Sequence, residues 1–135
     1  MKYFTIAELC DSDIAKKLCI YNEPTAAVAD NLVRLVENVL DPLRKAYGKP
    51  INVNSGYRSE ALNKVIPRSS KTSQHLTGQA ADIVGTPNTT AENAKLFNLI
   101  LSLGLPFDQL IDESNMKWVH VSFNIKKNRH QIMKL

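Results

Sequence analysis

The sequence predicts an α+β domain in which a small antiparallel sheet packs against helices. Amphipathic helical patterns with capping residues dominate the first half, and a pair of short strands with period-2 alternation lies late in the chain. No strand–helix alternation repeats, which argues against a doubly wound sheet. At 135 residues the chain has the size of one core, so residues 1–135 are read as a single domain. Its 44% hydrophobic and 22% charged residues match globular proteins. No apolar run approaches the roughly 20 residues that span a bilayer.

Thr5 and Glu8 form a capping-box pattern that opens a short helix near Ile6 and ends by Asp11 to Ser12, each side chain satisfying a backbone donor of the other. Glu23-Pro24-Thr25 opens a long helix in which Val28, Leu32, Leu35, Val36, Val39 and Leu43 recur at helical spacing. Pro42 either kinks this helix or restarts it with Asp41 as a new cap, and Gly48 before Pro50 stops it. Ile51 to Asn54 alternates as a strand, Ser55-Gly56 turns the chain, and Ser59 caps a helix through about Lys64. Val65 to Gly78 is expected to be loop. Ala80 to Val84 reads as a buried strand, and Thr89 with Glu92 makes a second capping box for a helix from Ala91 to Leu103, closed by Gly104. Strands Asp108 to Glu113 and Trp118 to Phe123 are joined by the four-residue connection Ser114 to Lys117.

The net charge is +4, and the stretch from Asn124 to Leu135 holds Lys126, Lys127, Arg129 and Lys134 without an acid. Such a patch suits nucleic acid or an anionic wall polymer, but the ordinary reading is a solvated end. Cys10 and Cys19 lack zinc-knuckle or disulfide-framework spacing and read as reduced, partly buried thiols. Met1 to Cys10 has no signal-peptide hydrophobic region, so synthesis and retention in a cytoplasm are expected.

His75, Asp82 and His120 stand out as candidates for chemistry. Asp82 lies within Ala80-Ala81-Asp82-Ile83-Val84, where an ionised carboxylate costs several kcal/mol unless it is paired or binds a cation. The alternation of Trp118 to Phe123 puts Trp118, His120 and Ser122 on one face and Val119, Val121 and Phe123 on the core face. Two imidazoles and a carboxylate suit Zn²⁺ with a fourth position left for water, as in catalytic sites. His130, in the basic tail, has no such setting.

The blocks Ser55-Gly56-Tyr57-Arg58-Ser59, Ser73-Gln74-His75-Leu76-Thr77-Gly78-Gln79-Ala80-Ala81-Asp82 and Trp118-Val119-His120-Val121-Ser122 closely resemble the zinc D-alanyl-D-alanine carboxypeptidases and related phage endolysins of the M15 peptidase family. Phe4 to Leu9 and Asn31 to Arg44 look like its prophage-type members. The resemblance implies the hedgehog/DD-peptidase-like fold, with the metal site on the sheet, and a zinc cofactor held by His75, Asp82 and His120. It implies that Arg58 holds a substrate carboxylate or the developing oxyanion. Ser73 and Gln74 are then either hydrogen-bond donors to substrate or ligand, or turn-forming residues.

Two positions depart from the family pattern. Val65 to Ser70 replaces a loop that carries a Gly-Gly pair in many relatives, and Lys117 occupies the place of the catalytic acid, three residues before the last histidine. The hairpin register supplies a replacement: Glu113 opposite Trp118 projects toward the metal, while Asp112 opposite Val119 points away as a solvated or paired surface acid. The implied activity is hydrolysis of peptidoglycan stem peptides, of D-Ala-D-Ala carboxypeptidase or L-Ala-D-Glu endopeptidase type. A monomer is expected, with no nucleic-acid partner, acting at the cell wall after lysis or export. The alternatives are a non-catalytic zinc-binding recognition module of the same fold, favoured by Lys117, and a more distant metal-free nucleic-acid-binding domain.

Overall fold

The computed structural model describes residues 1–135. Six α-helices, α1 (Ile6–Cys10), α2 (Asp13–Lys17), α3 (Ala26–Leu35), α4 (Asp41–Tyr47), α5 (Glu60–Val65) and α6 (Thr90–Ser102), accompany five strands. The strands are β1 (Asn52–Ser55), β2 (Ala80–Val84), β3 (Gln109–Glu113), β4 (Trp118–Ser122) and β5 (Gln131–Lys134). No helix is long and apolar enough to cross a membrane.

Hydroxyl caps begin five of the helices: Thr5, Ser12, Thr25, Ser59 and Thr89 each accept the backbone N–H three residues on, satisfying a donor that has no partner within the helix. The two capping boxes form by half. Glu92 turns its carboxylate to Tyr47, Lys49 and Lys95 instead of to Thr89, and Glu8 makes no return bond to Thr5. Ser12 caps the short α2, for which the sequence pattern gives no expectation.

The helix restarts at α4 with Pro42 in its first turn, but Leu40 and not Asp41 stands at the cap position. A π-helical turn, Val36–Leu40, joins α3 to α4, and the Asp41 N–H donates to Val36 O, five residues back. This wider turn takes up the irregularity caused by the missing proline donor. Asp41 does not cap; its carboxylate accepts the N–H groups of Lys2 and Tyr3 at 2.7 and 3.0 Å.

The sheet runs β1-β2-β4-β3-β5. The expected antiparallel sheet is corrected to a mixed one, because β5 pairs parallel with β3 while all other neighbours are antiparallel. The basic side chains of this stretch are exposed, as a solvated end requires, but its backbone is ordered in the sheet. Arg129 donates from Nε and a terminal nitrogen to the buried Asp108 carboxylate at 2.9 and 2.8 Å, and the following backbone takes up the otherwise open edge of β3. Alternation divides the sheet into two faces. Ala81, Ile83, Leu110, Val119 and Val121 join Leu32, Leu35, Val39, Leu96 and Ile100 in one core beneath the helices, each buried aliphatic side chain contributing roughly 1.5–3 kcal/mol. Cys10 is half-buried and Cys19 exposed, so the expected partial burial holds for the first alone.

Candidate metal and catalytic site

The opposite face of the sheet carries the polar residues. Asp82 stands directly across from His120 on β4 and from Ser55 on β1, and His120 stands across from Ile111 on β3. Residues directly opposite share a face, so Ser55, Asp82 and His120 form one row. Asp82 Oδ1 lies 2.9 Å from His120 Nδ1, and Oδ2 lies 3.3 Å from His75 Nε2.

His75 arrives from a segment expected to be loop, as part of a 3₁₀ turn, Gln74–Thr77. Ser73 caps the turn, its Oγ accepting the His75 N–H at 3.2 Å, and Gly78 closes it at φ +74. A side chain at Gly78 would be strained by that backbone and would press on Val28 O at 2.8 Å. The His75 ring is fixed by its Nδ1–H, which donates to Gly56 O at 2.7 Å. Gly56 is held in turn against α1, where a Cβ would collide with Leu9 O, and the adjacent Tyr57 N–H donates to the same oxygen at 2.8 Å.

His75, Asp82 and His120 are 3, 8 and 9% exposed, and one ligand atom from each lies within 4.8 Å of the other two. Burial alone would raise the Asp82 carboxyl, but the charges and hydrogen bonds of His75 and His120 outweigh it and hold the group far below the ordinary carboxylate range. With Nδ1–H given to Gly56, Nε2 is the His75 nitrogen that faces the Asp82 oxygen, at 3.3 Å. An imidazole nitrogen and a carboxylate oxygen so placed are ligand types for a divalent cation. The donor set therefore fits a divalent metal ion.

Arg58 packs beside this group. Its Nε donates to Ser55 Oγ at 3.0 Å and its terminal nitrogens to Asn63 Oδ1 at 3.4 Å and Asp82 Oδ2 at 3.5 Å. Burial lowers its pKa, and Asp82 offsets part of that shift. Glu113 lies opposite Trp118 and Asp112 opposite Val119, the register expected from the four-residue connection. Glu113, Trp118, His75, Asp82, His120, Arg58 and Ser73 all line one cleft of about 530 Å³. Burial first, and then the Asp82 charge, push the Glu113 carboxyl above its usual range. Asp112 is partly exposed and makes no ion pair; its Oδ1 accepts the Met116 N–H at 2.7 Å and shapes the turn. Ser114, Asn115 and Met116 are all left-handed there, and buried Asn93 holds them by donating to Met116 O and Lys117 O. Lys117 is exposed and does not line the cleft.

Gln74 is placed elsewhere. Its Nε2 donates to Asp108 Oδ2 at 2.9 Å, Oε1 is buried without a partner, and the residue does not line the cleft. The structure thus ties it to the Asp108–Arg129 pair beneath β5. Two asparagines outside the sequence motifs connect the site's segments. Asn22 joins Cys10 O, Tyr57 O and Ser59 N, and Asn63 joins Arg58 to Ser70 O. An asparagine inside a helical pattern, where it competes poorly, was the available signal for Asn63.

A family model described as Peptidase M15 matches residues 2–122. The chain belongs to the M15 peptidase family. None of the curated proteins matches it. Among solved structures, this M15 peptidase is similar to the L-Ala D-Glu endopeptidase ChiX of Serratia marcescens at 23% identity, with 76% of this chain and 90% of that chain covered and a TM-score of 0.49.

Proposed function

We propose that this M15 peptidase is a zinc enzyme that hydrolyses peptide bonds in peptidoglycan stem peptides, as a D-Ala-D-Ala carboxypeptidase or an L-Ala-D-Glu endopeptidase. The observation that carries the reading is the convergence of His75 Nε2, Asp82 and His120 Nδ1 on one buried point, with Glu113 on the same cleft wall. His75, Asp82 and His120 would hold the metal. Zinc held there would supply a water of pKa about 7 and polarise the scissile carbonyl.

The chain's own groups do the rest. The Gly56 carbonyl orients His75 and increases its basicity through Nδ1–H. Glu113 takes the proton of the attacking water on its carboxylate and returns it to the leaving amine. Arg58, anchored by Ser55 and Asn63, turns its remaining N–H groups to the oxyanion, where one positioned donor contributes roughly 3–4 kcal/mol. Ser73 borders the substrate space; its Oγ accepts the His75 N–H and its O–H is left to donate. The alternative, a zinc-binding module without hydrolysis, draws on Lys117 at the usual place of the acid. Incubating the zinc-loaded protein with purified peptidoglycan and reading the products by mass spectrometry tests both. Released D-Ala or stem peptides lacking L-Ala support the enzyme and identify the bond, whereas an unchanged digest with stoichiometric zinc supports the module.

A further inference from the structure

Two guanidinium groups line the cleft in opposite situations. The Arg58 side chain is 12% exposed, and Ser55, Asn63 and Asp82 engage three of its nitrogens. Arg68 is exposed, and its side chain has no hydrogen bond or ion pair. The segment that presents Arg68 is fixed from beneath. Asn63, 5% exposed, donates from Nδ2 to Ser70 O at 2.9 Å, and its carbonyl accepts the Ser69 hydroxyl and the Ile66 N–H. Arg68 itself sits at φ +63, an uncommon conformation for a long side chain. Because Asn63 also accepts from Arg58, both cations are referenced to one buried side chain.

Among the acids of the cleft, Asp82 is satisfied by His75, His120 and Arg58. Glu113 and Arg68 are cleft side chains that make no ion pair within the chain. The two peptide types named above share one feature: the residue that supplies the scissile nitrogen carries a free α-carboxylate. A guanidinium matches that group with two parallel N–H donors. We propose that Arg68 is a specificity-determining residue that receives this carboxylate, so that the cleft selects acidic peptides and leaves Arg58 to the oxyanion. The proposal rests on the peptidase reading for the choice of substrate.

The test uses L-Ala-D-Glu and its α-carboxamide counterpart, L-Ala-D-isoglutamine. Binding is read by NMR titration of the zinc-loaded Glu113→Gln protein, and hydrolysis by mass spectrometry with the unaltered chain. The acid is expected to bind about fivefold more tightly than the amide, the scale of a solvent-accessible ion pair, with the preference shrinking as salt rises. Arg68→Ala should remove the preference. Lys71→Ala, which neutralises a nearby cation outside the cleft, should retain it. Equal binding of acid and amide, no binding of either, or a preference that survives Arg68→Ala overturns the assignment. A protein that prefers the acid through Arg68 yet cleaves neither peptide sustains this inference and counts against the peptidase reading. Cleavage with equal affinities does the reverse.

Discussion

Replacing Glu113 by Gln removes a proton acceptor while keeping nearly the same volume. Ile111 faces His120 directly across β3 and β4, and Glu113 lies two residues further along, which makes it a diagonal neighbour of His120 with a Cβ separation of about 7–8 Å. A glutamate side chain covers part of that gap and leaves room for one water, the geometry a general base needs. Loss of such a base lowers kcat about 10²–10⁴-fold, or about 3–5 kcal/mol of barrier. Zinc content should stay at one per chain, since Glu113 is outside the ligand trio. The carboxylate must be ionised to act, and burial together with Asp82 raises its pKa. Activity should therefore fall as pH drops, along an acid limb above the ordinary glutamate value of about 4.3. The assay is stem-peptide hydrolysis across pH with zinc analysis in parallel, for Glu113→Gln and Asp112→Asn. The second variant keeps an acceptor for the Met116 N–H and should cost less than about 1 kcal/mol of stability and little activity. Activity of Glu113→Gln within tenfold of the parent, or a larger loss in Asp112→Asn, refutes the assignment.

His75→Ala and His120→Ala should each lose stoichiometric zinc by elemental analysis, and retention in both would place the metal elsewhere. Arg58→Lys keeps the charge but loses the planar fork, so kcat should fall by about tenfold or more while Tm falls only a few degrees; matched losses would make Arg58 a structural ion-pair residue. Hydrogen bonds from Arg129 depress the Asp108 pKa to about 2, against an unfolded value of about 3.9. A depressed acid stabilises the fold above its unfolded pKa, and this contribution is lost as pH falls from about 4 to about 2. Arg129→Ala should lower Tm at pH 7 and flatten its acid dependence over that window, and an unchanged acid profile would count against the pair.

Where local chemistry decides the outcome, the sequence was legible. The hydroxyls of Thr5, Ser59 and Thr89 cap the helices they precede, and the Ser114 to Lys117 connection yields the register that pairs Glu113 with Trp118. Period-2 alternation correctly divided Trp118 and His120 from Val119 and Val121. The failures share a cause, which is a distant partner. β5 has only Met133 partly buried, so no apolar alternation marks it, and it exists because Asp108 neutralises Arg129 and β3 offers an open edge. The Glu92 half of its capping box is lost to Tyr47, Lys49 and Lys95, and Asp41 is drawn from capping by Lys2 and Tyr3. The roles of Gln74 and Asn63 likewise depend on groups far from their own local pattern.

The most informative single residue was an acid in the wrong company. All five residues of β2 are buried, and the neighbours of Asp82 within the strand are Ala80, Ala81, Ile83 and Val84, none of which has a side chain able to hydrogen-bond it. An ionised Asp82 is tolerated only once β4 delivers His120, the 3₁₀ turn delivers His75 and the β1–α5 connection delivers Arg58. Closing the sheet and assembling the site are thus one event. The resulting charge balance also explains what a metal adds. Asp82 and Glu113 are matched by Arg58 and Arg68 along the cleft wall, so its side chains alone supply no surplus of positive charge for the anion that develops on a scissile carbonyl. A divalent ion held at the His75–Asp82–His120 point would supply that surplus, and an electropositive, partly buried floor is what an oxyanion transition state requires.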